Sequence, residues 1–204
     1  MIARSDLAGL ILAGGQGRRM RAAPDAQAVE KGLLELDGLP LIEHARRFLA
    51  PHVGRILVSA NTQLDAYAQY GAVVPDDPAL GAYAGPLAGV ASALGRCGFS
   101  WLLVMPVDVL QPPPDLARRL GAAVGLDGPR IAYASTAQGV HPLCMVLHCS
   151  LRQSLYDFLQ AGERKVQLWQ QRNGAVPVVF DGAGDAFFNV NTPQDLARAR
   201  ARPD

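Results

Sequence analysis

Short apolar runs alternate with amphipathic stretches along the first part of the chain. Residues 7–13 are an apolar run that ends at Gly14-Gly15, the pattern of a buried strand breaking into a loop. Runs rich in Ile, Leu, Val and Met recur at 55–60, 73–74 and 101–105 and predict further strands. Between them, helical spacing predicts helices at 40–49, 62–69, 85–94 and 114–124. Pro40 falls in the first turn of its helix, where the missing N–H costs nothing. A short strand is expected at 33–36, closed by an Asp37-Gly38 turn, and residues 16–31 read as a long loop. Farther on, strands are expected at 130–134, 142–147, 176–180 and 187–191, and helices at 151–161, 165–171 and 193–202. Thr192 is the expected N-cap of the last helix, with Pro193 at its first position.

Strand and helix alternate through about residue 125, which argues for a parallel sheet with helices on both faces. Ligands of such sheets sit at the carboxyl ends of the strands. That rule places residues 13–15, 59–61, Asp76 and Asp108 along one edge. The length of 204 residues fits one domain, or one domain with a small lobe. Half of the residues are hydrophobic and 18% are charged, which argues against disorder. A net charge of +1 supplies no bulk field for nucleic acid or an anionic membrane, so an anionic ligand must be met by a local cluster of charge. No apolar run approaches the roughly 20 residues that span a bilayer. The N-terminal residues lack the apolar core of a signal peptide, and a cytoplasmic protein is expected. Cys97, Cys144 and Cys149 form no C-x-x-C pair, so neither a disulfide scaffold nor a zinc site is expected.

The expected edge carries groups suited to an anion. In Gly14-Gly15-Gln16-Gly17-Arg18-Arg19-Met20 three glycines let the backbone approach a ligand, while Arg18, Arg19, Arg21 and then Lys31 add positive charge. The loop is not a Walker A motif, because the nearby lysine stands in Glu30-Lys31-Gly32-Leu33. It is not a full dinucleotide fingerprint either, because Met20 takes the place of the third glycine. Asp108, just past a strand end, is either a Mg²⁺ ligand or a turn aspartate. Asp76 and Asp77 read as turn residues of Pro75-Asp76-Asp77-Pro78, and Asn61 as a reader of a base edge or a helix cap.

Together these pieces resemble the bacterial molybdenum cofactor guanylyltransferases. The family's L-A-G-G-x-x-x-R-M opening is similar to Leu12-Ala13-Gly14-Gly15 with Arg19-Met20, and its lysine to Lys31 before Gly32-Leu33-Leu34. Ser59, Asn61, Gly85-Pro86-Leu87-Ala88-Gly89 and Pro106-Val107-Asp108 also match, as do His141-Pro142, residues 161–166 and Asn189-Val190-Asn191-Thr192-Pro193. The sequence departs from the family at residues 21–30, a longer stretch that opens with Arg21 where relatives place glycine.

The resemblance implies one nucleotidyltransferase domain over residues 1–204, a three-layer αβα, Rossmann-like, mostly parallel sheet of the nucleotide-diphospho-sugar transferase type. Residues 1–125 would bind GTP and Mg²⁺, and residues 126–204 molybdopterin. It implies GTP contacts from Leu12, Ala13, Gly14, Gly15, Lys31, Ser59, Asn61, Asp76 and Asp108. Asp108 would hold Mg²⁺, Arg19 and Lys31 would stabilise the β- and γ-phosphates, and Asp76 would lie near the ribose or base. His141, Arg164, Lys165, Asn189 and Asn191 would meet molybdopterin. Gly14 would leave room for a purine where cytidylyl relatives carry alanine. The implied partners are the two substrates and molybdoenzyme maturation proteins, with a monomeric enzyme. The rival readings are a molybdopterin cytidylyltransferase, a sugar-phosphate nucleotidyltransferase, an NAD-dependent dehydrogenase, and a nucleotide-sensing or carrier protein without catalysis.

Overall fold

The apolar runs of the first half become neighbouring strands of one sheet. The structure is a computed structural model that describes residues 2–14, 30–81, 85–96, 98–180 and 186–201. In chain order its elements are β1 (Leu7–Leu12), β2 (Glu35–Leu36), β3 (Leu39–Pro40), α1 (Leu41–Leu49), β4 (Arg55–Ser59), α2 (Leu64–Ala68), β5 (Ala72–Val74), α3 (Pro86–Leu94) and β6 (Trp101–Pro106). There follow β7 (Val109–Leu110), α4 (Leu116–Ala122), β8 (Ile131–Thr136), β9 (Gly139–His148), α5 (Arg152–Gln160), α6 (Val166–Arg172), β10 (Val176–Val179), β11 (Phe188–Asn189) and α7 (Pro193–Arg200).

Seven strands form the central sheet in the order β10-β8-β9-β6-β1-β4-β5. β1 pairs in parallel with both β4 and β6, β4 with β5, and β10 with β8. β9 is the strand that runs against its neighbours β6 and β8. All six residues of β1 are buried, because helices cover both faces of the sheet. Leu7 and Ile11 face a core shared with α1, α2, α4 and α7. Ala8, Leu10 and Leu12 face a second core shared with α3, α5 and α6. The expected three-layer αβα fold is therefore the observed one, and a strand buried on both sides explains why the sequence shows a continuous apolar run rather than alternation.

Local details shift several boundaries. Lys31–Leu33 is a 3-10 turn, and within the expected strand at 33–36 only Glu35–Leu36 pairs. Its partner is β3, across Asp37 and Gly38, whose φ angles of 51° and 75° are those of a tight hairpin turn. Pro40 pairs in β3 and serves as the N-cap of α1 rather than its first residue. α2 begins at Leu64, after Gln63 with a left-handed φ of 50°, and α4 is shorter at both ends than the pattern predicts. At α7 the Thr192 side chain accepts the Asp195 N–H while the Asp195 carboxylate accepts the Thr192 N–H, a reciprocal capping box with Pro193 in the first turn. No helix of the described residues is long and apolar enough to cross a membrane.

One glycine sets how closely a helix approaches the sheet. A Cβ on Gly89 of α3 would lie 2.2 Å from the Ser59 Oγ at the end of β4. α3 can sit this low on β4 only because residue 89 has no side chain.

Candidate active site

The ends of three parallel strands are tied together by backbone hydrogen bonds. Ala13 and Gly14 both donate their N–H groups to the Ser59 carbonyl, at 3.0 and 2.8 Å, and the Val107 N–H donates to the Leu12 carbonyl at 3.1 Å. The chain therefore leaves β1, β4 and β6 at one level, and Gly14, Asn61 and Asp108 all follow within two residues of a strand end.

Beyond β4, Asn61 and Asp76 close a ring. The Asn61 Nδ2 donates to the Asp76 carboxylate at 2.9 Å, and the Asp76 N–H donates to the Asn61 Oδ1 at 2.8 Å. Burial raises the Asp76 carboxyl above its ordinary pKa, and the Asn61 amide partly opposes this. Asp77 faces elsewhere: it caps the turn at Pro78–Leu80 and accepts the Tyr156 hydroxyl of α5 at 2.5 Å. Ser59 supplies its carbonyl to the edge, but its side chain is 4% exposed and is covered by Gly89. Gly14 is exposed, and a Cβ there would meet the Ser59 carbonyl at 3.6 Å and the Asn61 amide at 3.9 Å, ordinary contact distances. Nothing in the packing requires glycine at position 14.

Charge collects beyond β6. The Lys31 Nζ lies 2.5 Å from the Asp108 Oδ2 and donates to the Asn191 Oδ1 at 2.8 Å. The side chains of Lys31 and Asp108 are 14% and 21% exposed, so the pair is shielded on most sides yet reachable. Asn191 arrives there through an antiparallel pairing that the sequence did not reveal. β11 runs against β7 with Asn189 opposite Val109, and the Val190 N–H donates to the Asp108 carbonyl at 3.0 Å. The Asp195 carboxylate holds the Asn191 N–H at 3.0 Å. Arg19 and Gly15, expected at this edge, lie outside the described residues.

The five residues expected to meet the acceptor stand on different elements. Asn191 contacts Lys31, and Asn189 is exposed on β11 two residues away. The His141 ring stacks on Phe187 with centroids 4.3 Å apart, and its Nε2 lies 3.4 Å from the Thr136 Oγ1. Burial lowers the His141 pKa, which favours the neutral ring near pH 7. The Arg164 Nη1 donates to the Leu159 and Glu163 carbonyls, both at 2.7 Å, and so ties off the end of α5. Lys165 is exposed at the N-cap of α6. Among the described residues no hydrogen bond or ion pair joins Arg164 or Lys165 to Lys31, Asp108 or Asn191.

The chain has known counterparts. Residues 9–175 match the family model of the MobA-like NTP transferase domain. The molybdenum cofactor guanylyltransferase of Acidovorax ebreus is 40% identical over 209 residues, covering 96% of both chains. That of Ralstonia nicotianae is 40% identical over 211 residues, covering 99% of this chain and all of the relative. Among solved structures, molybdopterin-guanine dinucleotide biosynthesis protein A of Archaeoglobus fulgidus superposes with a TM-score of 0.73 at 23% identity, over 95% of this chain and 97% of that one. A CMP:2-keto-3-deoxy-manno-octonic acid synthetase complexed with CTP gives 0.74 at 14% identity, over 97% of this chain and 98% of the other. The structural likenesses speak for the fold of the nucleotide-diphospho-sugar transferases, and the family match together with the 40% identical relatives speaks for more. The chain belongs to the MobA-like nucleotidyltransferase family.

Proposed function

We propose that the protein transfers GMP from GTP to molybdopterin, forming the molybdopterin guanine dinucleotide and releasing pyrophosphate. The observation that carries this reading is the meeting of Lys31, Asp108 and Asn191 at the end of β6, level with the open glycine at the end of β1. The close relatives named for the same transfer support the choice of both substrates.

In the reaction a terminal phosphate oxygen of molybdopterin attacks the α-phosphorus of GTP in line. One P–O bond forms, the bond to the β-phosphate oxygen breaks, and pyrophosphate leaves with its electron pair. A phosphate monoester is already anionic near neutral pH, so no strong base is needed, and positioning with charge stabilisation does most of the work. Lys31 has two of its three N–H groups occupied by Asp108 and Asn191, which leaves one for a phosphate oxygen. Arg19 is proposed to join it on the β- and γ-phosphates. The backbone at residues 12–14 is proposed to lie against the base, where the missing Cβ of Gly14 leaves room for a purine, with Asn61 and Asp76 toward the nucleoside. Lys165, Asn189 and the remaining donors of Arg164 are proposed for the anionic acceptor, with neutral His141 as a hydrogen-bonding partner.

A divalent metal fits the donor set. Asp108 offers an oxygen ligand, and Mg²⁺ characteristically combines one or two carboxylates with phosphate oxygens and water. When bound there, Mg²⁺ neutralises charge on the departing pyrophosphate. A monomer acting with molybdoenzyme maturation proteins, without nucleic acid or membrane, is the proposed setting.

The direct test is pyrophosphate release with GTP, CTP or UTP, with and without molybdopterin and Mg²⁺. Release that needs GTP, molybdopterin and Mg²⁺ together is expected. Equal or greater turnover with CTP, or turnover indifferent to molybdopterin, overturns the reading.

A further inference from the structure

The Lys31 ammonium is held on Asp108 and Asn191. The neighbours on either side of it rest on one buried hydroxyl. The Tyr67 side chain of α2 is fully buried. Its OH donates to the Glu30 Oε2 at 3.2 Å. A Cβ on Gly32 would stand 2.7 Å from that hydroxyl, so the turn at Lys31–Leu33 presses flat against the ring. Glu30 has a second tether, since the Thr62 hydroxyl donates to its other oxygen at 2.5 Å. Thr62 follows Asn61, whose own side chain is locked to Asp76.

We infer that Glu30, Tyr67 and Thr62 are positioning residues that aim Lys31 at the phosphates and link the nucleoside side of the site, through Asn61-Thr62, to its phosphate side. Tyr67 pins residues 30 and 32, which leaves Lys31 between them a narrow range of directions. A small misplacement of a charged group at a reacting centre can cost up to about 100-fold in rate, so the tethers bear on turnover more than on substrate affinity.

This inference rests on the proposed guanylyl transfer, and its test separates the two. Pyrophosphate release is measured for the wild type, Glu30→Gln, Tyr67→Phe and Thr62→Val, with Thr62→Ser as the conservative control. The expected result is a loss in kcat of roughly tenfold for the first three variants, a KM for GTP within about twofold of wild type, and near-normal turnover for Thr62→Ser. The deciding arm repeats Glu30→Gln in a Lys31→Ala background. If Glu30 acts through Lys31, the second change costs little once Lys31 is gone. An equal loss in both backgrounds, or wild-type kcat in the single variants, overturns the inference. A wild type that binds GTP but transfers nothing to molybdopterin overturns the transfer reading instead. The positioning role is then read without turnover, as the protection that saturating GTP gives Lys31 against an amine-reactive reagent: weaker protection in Glu30→Gln and Tyr67→Phe supports it, and wild-type protection refutes it.

Discussion

The proposed donor edge and the proposed acceptor side differ in how their residues are brought together. At the donor edge, parallel pairing of β1 with β4 and β6 forces the strand ends level, so Gly14, Asn61 and Asp108 emerge side by side. On the acceptor side, His141 sits on the reversed strand β9, Arg164 and Lys165 lie between α5 and α6, and Asn189 and Asn191 come from the last strand and the turn after it. No shared register aligns these three places. A motif at the end of a parallel strand therefore carries its position with it, whereas a motif at a helix junction carries only its composition. Arg164 illustrates the second case, since its guanidinium holds the last turn of α5.

The harshest test of the donor edge is Asp108→Ala. It should lower transfer by roughly 100- to 1,000-fold, the scale on which removing a charge-stabilising group acts, with the circular dichroism spectrum unchanged. A folded variant with full turnover would remove the metal assignment and with it the contrast between the two sides. On the acceptor side, Arg164 and Lys165 replaced together should raise the KM for molybdopterin about tenfold and spare GTP. The single variants sharpen this. Lys165→Ala should carry most of the KM effect, while Arg164→Ala should mainly lower the melting temperature. Equal loss of both substrates would show that the two sides are not separate.

Two glycines offer a milder probe within the donor edge. Gly89→Ala places a methyl group against the Ser59 Oγ and should destabilise the fold by about 1–3 kcal/mol, as overpacking does. Adding Ser59→Gly should restore the melting temperature. Gly14→Ala meets only ordinary contacts, so it should leave the melting temperature alone and weaken GTP relative to CTP in competition assays. The smallest effect belongs to Asp76, whose pKa is raised by burial. A raised acid binds its proton more tightly in the folded state. Its stabilisation is therefore full below the unfolded-state pKa and disappears as pH rises through the folded-state value. Asp76→Asn should flatten that part of the melting-temperature profile and leave the variant at least as stable as wild type at neutral pH.

The strands and layers were legible because β1 and β6 are buried on both faces and say so in unbroken apolar runs. The site was legible where a motif met a strand end, as at Asn61 and Asp108. Tyr67 was not legible. A tyrosine at a core-facing helical position looks like packing, and the contacts of its hydroxyl with residues 30 and 32 become visible only when the chain has folded back. The pairing of β7 with β11 was hidden for a similar reason, since two-residue strands are too short to show a period.

The Lys31–Asn191 contact spans 160 positions of sequence. A ribosome releases a chain from its N-terminus, and segments made first are free to fold first. Lys31 and Asp108 thus leave the ribosome well before β11 and Asn191 have been synthesised. During that interval the nascent chain lacks the strand that closes over the ion pair. The order of synthesis therefore makes the capping of the Asp108 site one of the last events in the protein's maturation. A chain that stops before residue 186 would lack both the partner of β7 and the Asn191 contact to Lys31.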